Sequence, residues 1–365
     1  MGRKVNVLGV GMVKFQKPGA SDGYEVMASG AIKDALKDAG VSFNDVEQAY
    51  AGYVFGDSTC GQRAVYSVGT TGIPVINVNN NCSTGSTALY LARQAIEGGL
   101  AECVLAVGFE QMQKGALAAA WNDRTNPLDK HVDVMNAEQG VNQAPFAAQM
   151  FGGAGREYRW KYGTKRETFA KIAEKARKHA SKNPLALFRE VLSVEQILAS
   201  DEVFDPLTRF QCCPPTCGAA AAILCSDEFA KKHGLKPAVH IAGQTMTTDF
   251  ASSFDGKSMT KMVGFDMARA AANKLYEQTG TGPKDVQVVE LHDCFTANEL
   301  LTYEAIGLCK DGEAEKFIWD GDNTYGGKFV TNPSGGLLSK GHPLGATGLA
   351  QCAELVWHLR GQAGE

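Results

Sequence analysis

Three short segments of the sequence combine residue types that could carry out nucleophilic or acid–base chemistry. They are NNNCSTGS around Cys82, ELHDCF at residues 290–295 and SKGHPLGATG at residues 339–348. Cys82 follows an apolar, β-branched run typical of a buried strand and precedes a helical pattern that stops at Gly98 and Gly99. Because a helix N-terminus has free N–H groups and partial positive charge, this position would favour a thiolate. The segment predicts a cysteine nucleophile held out at a sheet edge, with a buried structural thiol as the alternative.

The two histidine segments also lie at the ends of predicted elements. His292 and Cys294 follow the apolar run VQVVEL, so they are predicted at a strand end, where open α/β sheets place ligands. His342 lies in a turn between glycines, and a helical pattern begins at Ala346. Either histidine alone is more often a hydrogen-bonded structural residue. The joint pattern of two cysteines and two histidines is far more specific, and it predicts covalent catalysis with acid–base support.

The elements that must position these segments alternate between strand and helix. Strands are predicted at residues 4–14, 46–55, 102–110 and 218–226, and an amphipathic helix is predicted from Gly23 to Ala39. This alternation predicts an α/β sheet with helices on its faces. Residues 112–209 are instead rich in Lys, Arg, Asn, Gln and Asp, and a stretch this long cannot be a bare loop. They are predicted to form an inserted, mostly helical subdomain.

The second half of the sequence repeats the first. One common offset relates two groups of four residues: Gly40, Asp45, Val46 and Phe55, and Gly280, Asp285, Val286 and Phe295. A second offset relates Cys82, Gly85, Thr87 and Leu89 to His342, Gly345, Thr347 and Leu349. Two collinear matches indicate duplication of one large unit. If the halves pack with pseudo-twofold symmetry, the helices after Cys82 and His342 converge at their N-termini and bring the two side chains together.

Composition excludes several classes of protein. A net charge of −4 over 365 residues argues against a general nucleic-acid binder, and no apolar run approaches the length of an integral membrane segment. Ten cysteines without regular spacing predict free thiols in a reducing compartment. Cys212, Cys213 and Cys217 are close together, but their spacing is not that of a zinc site and no histidine is near, so no metal is expected.

Together, the segments around Cys82, HDCF and GHP resemble the thiolase family, in the HDCF version of the peroxisomal 3-oxoacyl-CoA thiolases linked to sterol carrier protein. YVFGDSTCGQRA, MVGFDM, NELLTYEAIGLC, DNTYGGK and NPSGGLLSKGHPLGATG extend the resemblance over essentially the whole chain. It implies the thiolase fold, an α/β fold of duplicated βαβαβαββ units in five layers (αβαβα). The N-terminal half would comprise residues 1–111 and 210–235, the loop domain 112–209 and the C-terminal half 236–365. In the family a glycine-rich loop and a closing strand follow the GHP helix, so the last half is expected to lack its final strand.

The resemblance also implies roles for individual residues. Cys82 would attack the C3 carbonyl of a 3-oxoacyl-CoA and become acylated, in a ping-pong reaction. His342 would take the thiol proton and, with His292, form an oxyanion hole, while Cys294 would act as general acid and base. CoA would be a co-substrate, with no covalently bound cofactor. A further set is expected to contact substrate or CoA: Met150, Ser252, Ser253 and Gly341.

The resemblance implies acyl-CoA and CoA as ligands, a homodimer, and a peroxisomal enzyme of fatty-acid, branched-chain or sterol side-chain β-oxidation. No targeting signal is visible in the sequence, so a cytoplasmic location is the alternative. Two other functions stay open. One is a condensing enzyme of the ketoacyl-synthase type, which uses a cysteine with two histidines, although Cys294 beside His292 favours a thiolase. The other is a non-catalytic protein of this fold that binds acyl-CoA or scaffolds a partner.

Overall fold

In the computed structural model, which describes residues 2–115 and 121–364, strands and helices alternate as the sequence predicts. Numbered in chain order, the strands are β1 (Val5–Met12), β2 (Gln48–Gly52), β3 (Val75–Val78), β4 (Cys103–Glu110), β5 (Glu202–Phe204), β6 (Leu207–Thr208), β7 (Gly218–Ser226), β8 (Val239–His240), β9 (Val288–Val289) and β10 (Val330–Thr331). The helices are α1 (Tyr24–Ala39), α2 (Cys60–Tyr66), α3 (Thr84–Glu97), α4 (Asp129–Glu138), α5 (Phe146–Tyr162), α6 (Arg166–Ala180), α7 (Val194–Leu198), α8 (Asp227–Lys232), α9 (Ala251–Asp255), α10 (Met259–Met262), α11 (Phe265–Thr279), α12 (Thr296–Ala305), α13 (Ala314–Trp319), α14 (Gly336–Ser339) and α15 (Thr347–Leu359).

A six-stranded sheet in the order β3-β2-β4-β7-β1-β8 organises the first half of the chain. Strands β3, β2 and β4 are parallel, while β7 runs antiparallel to both of its neighbours, β4 and β1. Every residue of β1, β4 and β7 is buried, because helices cover both faces of the sheet. The run Ala219–Ala222 of β7 alternates between the two apolar cores, and its small side chains let helices approach the sheet closely on each side.

Strand β3, which leads to Cys82, is not the buried strand that its composition predicts. It pairs only with β2 and forms the edge of the sheet. Ile76 is 38% exposed and Asn77 is also exposed. The prediction was wrong because an apolar, β-branched run shows that a strand forms but does not show how many neighbours the strand has.

The segment that the sequence predicts to be an insert is mostly helical. Helices α4 to α7 all lie between residues 112 and 209, and the described part of this segment also contains the short hairpin β5–β6. They pack around a third apolar core together with α10, α12 and α13 from the second half. Cys294 and Phe295 belong to that core, so the insert forms one wall around the HDCF segment.

The internal repeat is visible in matching local structure. Gly40 and Gly280 both end a helix in the left-handed conformation, with φ values of 69° and 67°. A 3-10 turn follows each helix, and there the carboxylate of Asp45 or Asp285 accepts a backbone N–H three residues earlier at 2.8 Å. In the second half, the described residues form the parallel pair β9–β10 in place of a large sheet.

Helices α3 and α15 meet at their N-termini, as the duplication predicts. Glycines make this approach possible: a Cβ placed on Gly85 would lie 2.8 Å from the carbonyl oxygen of Gly345 and 3.0 Å from the nitrogen of Gly348. Backbone therefore packs against backbone at this contact. None of the described helices combines the length and the apolar composition needed to cross a membrane.

We expect Gly85→Ala to lower the melting temperature, because the added methyl group must push the two backbones apart and overpacking of this kind typically costs about 1–3 kcal/mol. Thermal unfolding followed by circular dichroism measures the change. Gly98→Ala is the matched control, since Gly98 ends the same helix with φ −81°. Equal melting temperatures for the two variants would contradict the close contact of α3 with α15.

Candidate active site

Cys82 lies in a tight turn just before α3. Its neighbour Asn81 has a φ of 48°, and Ser83 is the residue that caps the helix. The hydroxyl of Thr84 donates to the carbonyl of Asn81 at 2.6 Å and accepts the N–H of Asn80 at 2.8 Å. These bonds hold the turn so that the cysteine precedes the first helical residue by two positions. The predicted placement at the helix N-terminus is confirmed.

His342 is buried, and its hydrogen bonds define which ring nitrogen is free. Its Nδ1 lies 2.7 Å from Oγ1 of Thr347, whose hydroxyl lies 3.0 Å from the carbonyl of Pro343. Since that hydroxyl donates its only proton to the carbonyl, Nδ1 must be the protonated nitrogen and donate to Thr347. Nε2 then carries a lone pair, and it has no hydrogen-bond partner. The geometry therefore presents a neutral imidazole as a proton acceptor.

His342 lies close to Cys82 and His292. The sulfur of Cys82 and one ring nitrogen each of His292 and His342 lie within 4.8 Å of one another. The two rings are nearly perpendicular, with centroids 4.9 Å apart. Residues far apart in the sequence are thus brought together across the contact between the two halves.

Cys294 lies beside this group. Next to Cys294 is a further thiol, that of Cys213, which the sequence analysis did not assign to the site. The N–H of Cys213 donates to the carbonyl of Cys294 at 2.9 Å, and Cys212 bridges Phe295 in antiparallel fashion. Cys213 and Cys294 are therefore neighbours across two extended segments. The sequence does show Cys212, Cys213 and Cys217 close together. Comparison of their spacing with that of zinc ligands, however, could not show which of the three faces the site. All ten cysteines of the chain are free.

The segment from Cys212 to Cys217 also supports the histidine. Thr216 accepts the backbone N–H of His342 at 3.1 Å and donates to the carbonyl of Pro214 at 2.8 Å. Thr216 is fully buried. Sequence reasoning missed its role, and it used Thr347 only as evidence for the repeat.

Two buried carboxylates flank His292 and bind the HDCF segment to the segment that carries His342. Glu290 accepts both the N–H and the hydroxyl of Ser334, at 3.0 and 2.8 Å. Asp293 accepts the N–H groups of Leu337 and Leu338, at 2.7 and 3.3 Å. Each carboxylate satisfies otherwise unpaired backbone groups, so the two segments are fixed relative to each other.

A third buried carboxylate, Glu110, links the end of β4 to both sides of the site. It accepts the N–H groups of Val54 and Phe55 at 3.1 and 2.9 Å, and that of Gly345 at 3.1 Å. Burial raises the pKa of this carboxyl group, and no cation compensates its charge in the described surroundings. Glu110 was not singled out by the sequence analysis, because a single acid at the end of a strand has no distinctive pattern.

Burial favours the neutral form of each candidate catalytic group, contrary to the expectation of a thiolate at Cys82. Burial raises the pKa of Cys82 to about 12 and lowers that of His342 well below its usual value, with His292 lowering it further. Burial lowers the pKa of His292 to about 4 and raises that of Cys294 well above its ordinary range. A helix terminus contributes only about 0.3–1 kcal/mol, which does not outweigh the desolvation of an unpaired charge.

The remaining predicted residues lie around this centre in different settings. Met150 on α5 packs against the core that contains Cys294. The Ser252 hydroxyl donates to Asp266 at 2.7 Å, whereas the buried hydroxyl of Ser253 has no partner. Gly341 has a φ of 118°, and a Cβ there would lie 2.8 Å from Thr216. Of the two serines, Ser253 is therefore the one whose hydroxyl makes no hydrogen bond within the described residues.

The fold and the site define a class of protein: α/β proteins that hold a cysteine and a histidine together near the N-termini of two helices. The chain matches "Thiolase, N-terminal domain" over residues 10–228 and "Thiolase C-terminal domain-like" over residues 251–365. "Sterol carrier protein 2" of Oryctolagus cuniculus is 60% identical over 366 residues, which cover 99% of this chain and 67% of that protein. The chain therefore belongs to the thiolase family, a family of acyltransferases.

Two solved structures support the fold. The "Ltp2-ChsH2(DUF35) aldolase" has a TM-score of 0.81 at 25% identity and covers 99% of this chain and 91% of its own. Human mitochondrial 3-ketoacyl-CoA thiolase in complex with CoA has a TM-score of 0.75 at 20% identity, covering 100% of this chain and 93% of its own. The thiolase fold implied by the sequence is confirmed.

The buried histidines predict a pH-dependent stability. His179 donates from Nδ1 to the carbonyl of Asn332 at 2.9 Å, and the Asn332 side chain accepts the N–H of Leu291 just before His292. Burial lowers the pKa of His179 from 6.5 to about 4. Between these values the unfolded chain binds the proton and the folded chain does not, so the free energy of unfolding should fall as the pH drops from 6.5 to 4.

Denaturant unfolding across that pH range measures the slope. His179→Gln should flatten it, while His240→Gln, at an exposed position on β8, should leave it unchanged. An unchanged slope in His179→Gln would show that other groups cause the acid sensitivity.

Proposed function

We propose that this protein is a 3-oxoacyl-CoA thiolase that cleaves its substrate with CoA through an acyl-Cys82 intermediate. The observation that carries the proposal is the closeness of the Cys82 thiol to the ring of His342, whose Nε2 has no hydrogen-bond partner among the described residues. A neutral thiol and a neutral imidazole can exchange one proton at the moment of attack. The charged pair then forms only when a carbonyl group is present to receive the sulfur.

In the first half-reaction, Nε2 of His342 takes the Cys82 proton as the sulfur attacks the C3 carbonyl. The resulting imidazolium and His292 stabilise the oxyanion. The C2–C3 bond then breaks, the acyl group stays on Cys82, and the departing CoA enolate takes a proton from the Cys294 thiol. Acetyl-CoA or propionyl-CoA is released.

In the second half-reaction, the Cys294 thiolate removes the proton of an incoming CoA thiol. The CoA sulfur attacks the acyl-Cys82 carbonyl, and the backbone N–H of Cys82 contributes to the oxyanion hole. Collapse of the tetrahedral intermediate breaks the bond to Cys82 and releases the shortened acyl-CoA, and the His342 imidazolium returns its proton to the Cys82 sulfur. The high pKa of the buried Cys294 thiol suits it to protonate an enolate and then to act as a strong base.

A cleft on the inserted domain has the chemistry to bind the nucleotide end of CoA. It has a volume of about 490 Å³, and its lining includes Arg156, Trp160, Lys161 and Lys257. Cations suit phosphates, and an exposed indole offers a surface on which a base can stack. Met150 and Trp160 lie ten residues apart on α5, which corresponds to about 15 Å along the helix at 1.5 Å per residue. Met150 packs against the core that contains Cys294. An extended pantetheine chain could follow α5 between the two points.

We propose in addition that the enzyme acts as a homodimer in peroxisomal β-oxidation of fatty, branched-chain or sterol side-chain substrates. The free edge of β3 supports a dimer, because unpaired backbone groups beside an exposed Ile76 suit pairing with a second strand. The similarity to sterol carrier protein 2 supports the compartment and substrate class.

Variants of the two cysteines test the mechanism. Cys82→Ala should form no acyl-enzyme, since the nucleophile is missing. Cys294→Ala should still become acylated to some degree but should lose steady-state thiolysis, because enolate protonation and CoA activation are lost. Mass spectrometry of the protein after mixing with acetoacetyl-CoA detects the acyl group, and loss of the enolate absorbance in the presence of CoA reports turnover.

Cys309→Ser, at a half-buried position in the turn that follows α12, serves as the matched control and should behave as wild type. Normal turnover by Cys294→Ala would overturn its assignment as general acid and base. Absence of any acyl-enzyme or turnover in the wild-type protein would favour the non-catalytic alternative.

Thr347 provides a separate test of the base. Thr347→Val removes the acceptor for Nδ1–H of His342, so the imidazole no longer has a defined tautomer. We expect kcat to fall by about 100-fold, within the range of general-base catalysis, with KM nearly unchanged. Thr347→Ser keeps the hydroxyl and should restore most of the rate. If the valine and serine variants were equally active, the hydrogen bond would not define the base.

A further inference from the structure

The residues of the catalytic centre also have the composition of a transition-metal site. We propose that Cys82, His292 and His342 bind a single Zn²⁺ ion in the absence of substrate, which would make Zn²⁺ a reversible inhibitor of this protein. Binding of the metal does not depend on thiolysis, so this inference stands apart from the proposed activity.

The donor geometry is close to what zinc requires. The three ligand atoms lie within 4.8 Å of one another. An ion equidistant from three atoms at that largest spacing would lie about 2.8 Å from each, whereas Zn–S and Zn–N bonds are about 2.3 and 2.0–2.1 Å. A contraction of about 0.5 Å for the sulfur and about 0.7–0.8 Å for each nitrogen closes the difference, and rotations of the two imidazole rings and the cysteine side chain can supply it.

The chemistry of the donors selects zinc over harder cations. One thiolate and two neutral imidazoles form a set that Zn²⁺ and Co²⁺ prefer, while Mg²⁺ and Ca²⁺ require oxygen ligands. His342 already has the tautomer that metal binding requires, because Nδ1 carries the proton and donates it to Thr347 while Nε2 carries the free lone pair. The hydrogen bond from Nδ1 has the form of the outer contacts that orient metal-bound histidines.

The surroundings favour binding of a cation. Nε2 of His342 is a buried acceptor without a partner, which a metal would satisfy. The buried carboxylate of Glu110, held by Gly345 in the turn after His342, would offset part of the positive charge. On binding, the S–H bond of Cys82 breaks, the proton leaves to solvent and a sulfur–zinc bond forms. Three protein ligands leave the fourth tetrahedral position to water.

Bound zinc would block acyl transfer directly. It would occupy both the sulfur that attacks the carbonyl and the nitrogen that accepts the proton. Removal of the metal by a chelator would restore both groups unchanged, unlike oxidation or alkylation.

Equilibrium dialysis of the purified full chain against Zn²⁺, with metal analysis, tests the proposal without any substrate. We expect one equivalent to bind, and Co²⁺ in its place should show the visible bands of a tetrahedral thiolate site. Cys82→Ala should remove the sulfur-to-cobalt band, and His292→Ala and His342→Ala should each weaken binding by at least about 10- to 100-fold. Cys309→Ser is the control and should bind as the wild type does.

Protection from alkylation gives a second measurement that does not depend on folding of the variants. Iodoacetamide should label Cys82 in the metal-free protein, because His342 can accept the thiol proton as the sulfur attacks; zinc should block this labelling in mass mapping, and a chelator should restore it. Binding of the ion by Cys82→Ala with wild-type affinity, or unchanged labelling of Cys82 at saturating zinc, would overturn the proposal.

Discussion

The contact between the N-termini of α3 and α15 is the constraint on which the rest of the structure depends. It joins the two halves of the chain through backbone atoms, because Gly85 and Gly345 leave no side chain between them. Cys82 precedes one of these helices and His342 precedes the other. A side chain at either position would push the two helices apart and separate Cys82 from His342. The site therefore depends on the close packing that glycine allows.

Burial determines the electrostatic character of the site. Since burial removes these groups from water, the pKa values of the Cys82 and Cys294 thiols rise and those of the two histidines fall, which favours the neutral form of each. A neutral centre avoids the large penalty of burying unpaired charge. It also means that the proton transfer from thiol to imidazole must accompany attack on the substrate. The lone pair of His342 that would act as the base in acyl transfer is also the one that would bind zinc in the site we propose.

Hydrogen bonds from buried polar residues fix the positions of the two histidine segments relative to each other. Glu290 and Asp293 bind the HDCF segment to the residues before His342, and Thr216 and Thr347 hold His342 itself. None of these residues would touch the reacting carbon. Their role is positional, and because their polar atoms are buried, removal of a partner leaves an unsatisfied group as well as a misplaced histidine.

The sequence by itself determined the alternation of strands and helices, the helical insert, the internal repeat and four residues of the candidate site. Local patterns are sufficient for these features, since apolar periodicity, glycine stops and short motifs depend on residues that are near one another in the chain. Even the convergence of Cys82 and His342 follows from the repeat. Tertiary structure decided that β3 is an edge strand, that Cys213 and Glu110 border the site, and that Cys82 is a neutral thiol. These properties depend on neighbours distant in sequence and on the exclusion of water, which no local pattern records.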